Sequence, residues 1–331
     1  MKAVVMKQPG GPEVLEVQEL AVPTPSAARE IRVRLKAAGV NPVDAKLRGN
    51  GTYFPERSPA VLGCDGAGIV EDVGSGVTRF RPGDEVYFCY GGIGGPQGNY
   101  AEQAVIDERW AAPKPAALDF VHAAAAPLVL ITAWESLHDR GRLAAGQTVL
   151  VHAGAGGVGH VAIQLARAAG ARVCTTVGSA AKADLVRELG AEAVIRYKDT
   201  DFVQAALDWT GGQGVDVALD TVGGKTFEDT ASAVRVYGDL VTLLQPAPDT
   251  DWKAARLRNL RISLELMLSP MYYGIDAALE HQAWILGQCA QLIDSGRLRI
   301  DVQQTFPLEQ AAAAHALLEQ GSLTGKLVLV P

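Results

Sequence analysis

The stretch "VHAGAGGVGH", Val151 to His160, packs four glycines and two alanines into ten residues. It follows a short apolar run, "TVLV", and leads into "VAIQLARAAG", whose apolar spacing is helical. Gly154, Gly156 and Gly159 satisfy G-x-G-x-x-G between a strand and a helix, the context in which that spacing has a mechanism. Glycines permit a tight turn, close approach of backbone to a pyrophosphate, and close packing of helix on strand. The helix start adds unpaired N–H groups and the positive end of a dipole. A dinucleotide is therefore the expected ligand, with a ligand-free turn as the plainer reading.

The next predicted strand, "ARVCTTV", tests which dinucleotide. A coenzyme with a free ribose 2′-hydroxyl calls for Asp or Glu at that strand's tip. Here Gly178, Ser179 and Lys182 follow instead. A small residue, a hydroxyl and a cation suit a 2′-phosphate, so NADPH is expected over NADH, although most lysines are simply solvated.

Working outward, the rhythm around the loop is that of an α/β protein. "SAAKADLVRELG" reads as a helix begun by Ser179 and closed by Gly190, and "AVI", "DFVQAALDWT", "VDVALD" and "DLVTLL" continue the alternation. Alternating strands and helices imply a parallel sheet covered on both faces. Upstream, "DFVHAAAAPLVLITAWESLHDRG" reads as one helix with Asp119 as N-cap. The first third is different. "IRVRLKA" places Ile31, Val33 and Leu35 on one face and Arg32, Arg34 and Lys36 on the other. With "EVLEVQE", "AGIVEDVG", "GDEVYFCY" and "YAEQAVI", separated by Gly and Pro, it predicts a small barrel or sandwich. The tail adds a long helix, "DAALEHQAWILGQCAQLIDSG", then an amphipathic helix and a last strand, "GKLVLV".

The 331 residues suit two cores better than one, and 48% hydrophobic with 20% charged residues describes a globular chain. A net charge of −7 and the lack of a basic block argue against a nucleic-acid partner. The first residues lack the apolar core of a signal peptide, and "VHAAAAPLVLI" is too short to span a bilayer, so a cytoplasmic location and no membrane partner are expected. Cys64, Cys89, Cys174 and Cys289 are scattered without a C-x-x-C pair, which predicts free thiols. His152 and His160 flank the loop without catalytic spacing and read as packing or surface residues.

These features together resemble a medium-chain dehydrogenase/reductase, and most closely its quinone oxidoreductase, ζ-crystallin-like branch. The resemblance spans essentially the whole chain and rests on "AAGVNPVDAKLRGNGTY", "LGCDGAGIVEDVGSGVTRFRPGDEVY", "GNYAEQAV", "LVHAGAGGVG" and "GSLTGKLVLV". It implies a GroES-like β-barrel catalytic domain at 1–123, a Rossmann-type doubly wound NADP-binding domain at 124–265, and a return to the catalytic domain at 266–331.

The resemblance also implies roles. Asn41 corresponds to an Asn near the nicotinamide, and Tyr53 to an aromatic near the substrate, which makes these two the expected catalytic residues. Thr132 corresponds to a position under the nicotinamide. Gly154, Gly156, Gly157, Val158 and Gly159 form the pyrophosphate loop. Ser179, Lys182 and Tyr197 line the 2′-phosphate pocket, and Lys326 is a basic position reaching back toward the coenzyme. On the residues alone, Asn41 before a proline also suits a turn, and Tyr53 also suits a rim aromatic.

Zinc alcohol dehydrogenases carry a Cys within the segment matching "GVNPVD" and a His-Glu pair where this chain has Cys64-Asp65. A catalytic zinc needs three protein ligands, so no metal is expected. Without a Lewis acid, acceptors that spread charge by conjugation fit best, namely a quinone or an α,β-unsaturated carbonyl. The alternatives are a zinc-type alcohol dehydrogenase and a low-turnover NADPH-binding structural or sensor protein. Met267, Met271, Tyr272 and Tyr273 are candidates for an apolar substrate wall or a dimer contact. A homodimer is implied by the family, with the sheet extended at "VTLL".

Overall fold

A computed structural model describes all residues, Met1–Pro331. The chain forms two compact units, Met1–Leu128 with Leu268–Pro331, and Val129–Met267.

The first unit is built on antiparallel strands: β1 (Lys2–Met6), β2 (Leu15–Glu19), β3 (Glu30–Val40), β4 (Ala60–Val61), β5 (Asp65–Val73), β6 (Glu85–Cys89), β7 (Gln103–Asp107) and β8 (Ala111–Pro113). Helices α1 (Pro42–Asn50) and α2 (Phe120–Ala125) accompany them. The alternation in β3 predicts its packing correctly: Ile31, Val33 and Leu35 are buried with Val70, Val86, Phe88 and Ile106 in one apolar core. Strand β3 is the hub. Its first half pairs with β7, and β5 follows it along its length through two register shifts. Such irregularities bend and twist a strand, which lets one strand serve several partners.

The second unit opens through α3 (Pro127–Trp134) and is an alternating α/β layer: β9 (Thr148–Val151), α4 (Gly157–Ala168), β10 (Arg172–Val177), α5 (Ala180–Glu188), β11 (Ala193–Arg196), α6 (Phe202–Trp209), β12 (Val215–Asp220), α7 (Lys225–Ala233), β13 (Val234–Thr242), α8 (Lys253–Leu257) and β14 (Arg261–Leu264). All six strands are parallel, in the order β11-β10-β9-β12-β13-β14. The order reverses direction at β9, which is where a doubly wound sheet opens a ligand crevice at its strand ends. A core including Leu150, Cys174, Val215, Phe227 and Leu240 lies on this sheet.

The return segment contributes α9 (Ser269–Tyr273), α10 (Asp276–Asp294), β15 (Val302–Pro307), α11 (Ala311–Glu319) and β16 (Lys326–Val330) to the first unit. There β16 pairs antiparallel with the second half of β3, Leu327 opposite Val40.

Two expectations need correction. The helix expected as one piece from Asp119 is broken: α2 ends before Pro127, α3 begins there, and Glu135–Arg140 follows as a π-helical stretch. Proline lacks the N–H that would continue the ladder. Asp119 does cap α2, accepting from His122 N at 2.8 Å. "VTLL" is not the sheet edge, because the short strand β14 lies outside β13. In the first unit, "PVDAKLRGN" is a helix with Asn41 as N-cap and its proline in the first turn, where a missing N–H costs nothing.

Candidate coenzyme loop and buried polar knot

In the second unit, β9 delivers the chain to Ala153, whose φ of +50° is left-handed. A Cβ on Gly154 would overlap the Thr175 hydroxyl, and one on Gly159 would overlap the Ala153 carbonyl. These two glycines are required by packing of helix on strand. Gly156 is the extended N-cap of α4, and Gly157, Val158 and Gly159 form its first turn, so the loop and helix start sit together as the sequence predicts. A helix start of this kind, with its unpaired N–H groups, can hold a pyrophosphate.

At the tip of β10, Ser179 caps α5 by accepting from Lys182 N at 3.4 Å. The Tyr197 hydroxyl lies against Gly178, 3.2 Å from where a Cβ would stand. The Lys182 ammonium is held below its ordinary pKa by burial and then by the charge of Lys198. Two lysines within electrostatic reach, a tyrosine hydroxyl and a capping serine therefore converge at a strand tip without an acid. Lys198 escaped the sequence reading, although it adjoins Tyr197. Thr132 lies buried on α3.

In the first unit, Asn41 and Lys326 meet in a buried polar knot. Asn41 is fully buried and Lys326 is 3% exposed. Asn41 Nδ2 donates to Asp65 Oδ2 at 2.8 Å, and Lys326 Nζ donates to Asn41 Oδ1. The Lys326 ammonium also stands 3.6 Å from Asp65 Oδ2, while Asp65 Oδ1 accepts from Leu128 N at 2.8 Å. Burial lifts the Asp65 carboxyl above its usual range, with Lys326 and Asn41 opposing. Beside it, Asp44 Oδ2 accepts from Asn41 N at 2.9 Å and from the Tyr100 hydroxyl at 3.0 Å, and Tyr100 meets His315 Nε2 at 3.0 Å. Desolvation pushes Asp44 up to about 7. The sequence signal for Asp44 was its place three residues after the N-cap Asn41, the spacing of a reciprocal cap.

Cys64 Sγ lies 3.8 Å from Asp44 Oδ1. A hydrogen bond with Cys89 favours the Cys64 thiolate, but burial and the two aspartates outweigh it and the pKa rises. Cys89 is raised further, by its bond to Cys64 and by burial. Both therefore stand as buried, protonated thiols. No three or more His, Cys, Asp or Glu side chains are grouped to hold a metal ion.

Tyr53 belongs to a half-exposed aromatic cluster. Its ring meets Tyr272 edge-on at 5.5 Å; Phe54 lies 5.4 Å from Tyr272, and Tyr273 lies 4.8 Å from it. Burial, and then the neighbouring Cys64, raise the Tyr53 phenol above its ordinary pKa. Of the four candidate wall residues, Met267 and Met271 are buried, whereas Tyr272 and Tyr273 are exposed.

Known proteins match this arrangement along the whole chain. The alcohol dehydrogenase GroES-like domain family matches residues 27–116, and the zinc-binding dehydrogenase family residues 189–329. Quinone oxidoreductase 1 of Escherichia coli K12 is 35% identical over 324 residues, 97% of each chain. The 2-haloacrylate reductase of a Burkholderia species is 32% identical over 343 residues, covering 100% of this chain and 99% of that protein. The structure of Escherichia coli quinone oxidoreductase complexed with NADPH superimposes with a TM-score of 0.88 at 33% identity, covering 100% of both chains. That of an NAD-dependent alcohol dehydrogenase does so with 0.90 at 35%, also over 100% of both. The chain is an oxidoreductase and belongs to the quinone oxidoreductase family of the medium-chain dehydrogenases/reductases.

Proposed function

We propose that this protein is an NADPH-dependent, metal-independent reductase that passes a hydride to a quinone or an α,β-unsaturated carbonyl. The observation that carries the coenzyme reading is the acid-free tip of β10 with Ser179, Tyr197, Lys182 and Lys198 around it. A 2′-phosphate there would relieve the repulsion between the two lysines. The glycine cradle fits the pyrophosphate, and the NADPH complex of the Escherichia coli relative supports the same choice.

Bound NADPH supplies the hydride. The chain's own groups then act on the oxyanion left on the acceptor. The Tyr53 phenol is protonated at neutral pH, as any phenol near its ordinary pKa is, and burial shifts it further that way, so it can donate a hydrogen bond to that oxygen. Tyr53 or water then delivers the proton. Tyr272 and Tyr273 offer flat faces for a conjugated ring. Asn41, with its amide nitrogen and oxygen both engaged, is a positioning residue held by Lys326 and Asp65. Thr132 remains assigned beneath the nicotinamide on the family resemblance.

The lack of a grouped set of three or more donor side chains supports chemistry without zinc. The relatives named for quinones and for 2-haloacrylate support conjugated acceptors of both kinds. A cytoplasmic homodimer completes the proposal. β14 is a free sheet edge, and Leu264 and Leu266 beside it are exposed.

The test is NADPH and NADH oxidation measured side by side with one aromatic quinone and one simple enone, on protein assayed for zinc. NADPH-selective turnover by zinc-free protein is expected. Turnover that tracks zinc content, or NADPH binding without turnover of either acceptor, overturns the reading.

A further inference from the structure

The spacing of His152 reads as that of a packing or surface residue; the structure buries it to 1% exposure and gives both its ring nitrogens partners. Nε2 lies 2.8 Å from the Thr230 hydroxyl on α7, and Nδ1 lies 3.0 Å from the Thr176 hydroxyl on β10. The proton positions follow from the neighbours. Thr230 donates its only hydroxyl proton to Thr226 O at 2.5 Å, so its oxygen must accept from His152 Nε2–H. Burial holds the imidazole down at about 4, so it is neutral and Nδ1 carries a lone pair. Thr176 therefore donates to Nδ1, and its oxygen is left to accept from Ala153 N at 3.1 Å. Phe202 closes the ring's face, edge-on at 4.9 Å.

This chain of bonds ends on the residue that shapes the glycine loop. Ala153 is in the left-handed region, a conformation an L-residue holds only when its surroundings impose it. Its carbonyl lies where a Cβ on Gly159 would stand, and the next residue, Gly154, donates N–H to Thr176 O at 3.0 Å. Thr176 thus grips the loop twice, by hydroxyl and by carbonyl. The hydroxyl is aimed by His152, which is itself anchored to α7.

We infer that His152 is a positioning residue for coenzyme binding: acting through Thr176, it holds Ala153 and hence the glycine loop in the pyrophosphate-binding shape. The inference rests on the reading of that loop as the dinucleotide site.

The two nitrogens do different jobs, and substitutions separate them. In His152→Asn the amide oxygen replaces Nδ1 and still accepts from Thr176, while the link to Thr230 is lost. His152→Gln places its amide near Nε2 and loses the link to Thr176. His152→Leu loses both. NADPH affinity is read by fluorescence titration of the full-length protein, with KM for NADPH and kcat alongside. Leu and Gln are expected to weaken NADPH binding about tenfold, as loss of one hydrogen bond's worth of preorganisation implies, with kcat little changed. Asn should stay within about threefold of the parent. Thr176→Val, which keeps volume but removes the hydroxyl, should match Leu, and Thr176→Ser should restore binding; this pair serves if the histidine variants fail to fold. Equal affinity of Asn and Leu, or an unaltered affinity in Thr176→Val, overturns the inference. Gly159→Val tests the underlying reading separately. If it leaves NADPH binding intact, the loop is not the coenzyme site, whereas loss of binding there with no effect at His152 or Thr176 rejects only the role of His152.

Discussion

The Lys326 ammonium, on the last strand of the chain, donates to the side-chain oxygen of Asn41 at the mouth of the first helix, 285 residues away. It brings a buried positive charge within 3.6 Å of the Asp65 carboxylate. Removing one partner of a buried pair strands the other, which costs more than the pair contributes. Lys326→Met is therefore expected to destabilise the protein by ~3–5 kcal/mol. The paired change Lys326→Met with Asp65→Asn should recover part of that loss. Urea unfolding of both proteins measures the difference, and equal stability of the single and double variants would remove the ion pair from the account.

Asp44 makes stability depend on pH in an unusual direction. Its folded pKa is about 7 against an ordinary 3.8. Between those values the folded state keeps a proton that the unfolded state has released, so stability falls as pH rises from about 4 to about 7 and levels off above. The contribution is at most about 4 kcal/mol. Asp44→Asn should flatten this slope. Urea unfolding of parent and variant at pH 5 and pH 8 isolates the effect, because the other titrating groups are common to both; parallel pH dependences would exclude Asp44 as its source.

Lys182 and Lys198 should govern coenzyme choice. Lys182→Ala is expected to raise KM for NADPH about tenfold, the worth of one charge-assisted hydrogen bond, and to leave NADH kinetics unchanged. Lys198→Ala should act in the same direction. Initial rates with both coenzymes provide the check. A parallel loss for NADH would place the effect outside the 2′-phosphate.

Tyr53→Phe removes the proposed donor while keeping the ring that packs on Tyr272. The expected loss is about a hundredfold in kcat with little change in KM for the acceptor. Because burial raises the Tyr53 pKa above 10.0, its alkaline limb should lie above that value in the parent and vanish in the variant. A loss confined to KM would make Tyr53 a wall residue only.

The glycine loop was legible because its signal is local. Gly154 and Gly159 are dictated by atoms within one strand, one turn and one helix, and the spacing records that geometry. The alternation in β3 was legible for the same reason, since a strand half-buried in one core must place apolar residues every second position. The cap at Asp119 was visible too. Strand β14 was not, because "RISL" is too short to show a period and becomes a strand only through β13 beside it.

What the sequence by itself determined was the alternation of elements, the loop and the acid-free tip of the next strand, all read over spans of a few turns. Only the tertiary structure decided that Lys326 closes on Asn41 and Asp65, that Asp44 is buried against Tyr100, and that His152 reaches Thr176 and Thr230. Those partners are distant in the chain, and a polar side chain's role depends on which donors and acceptors surround it once water is excluded.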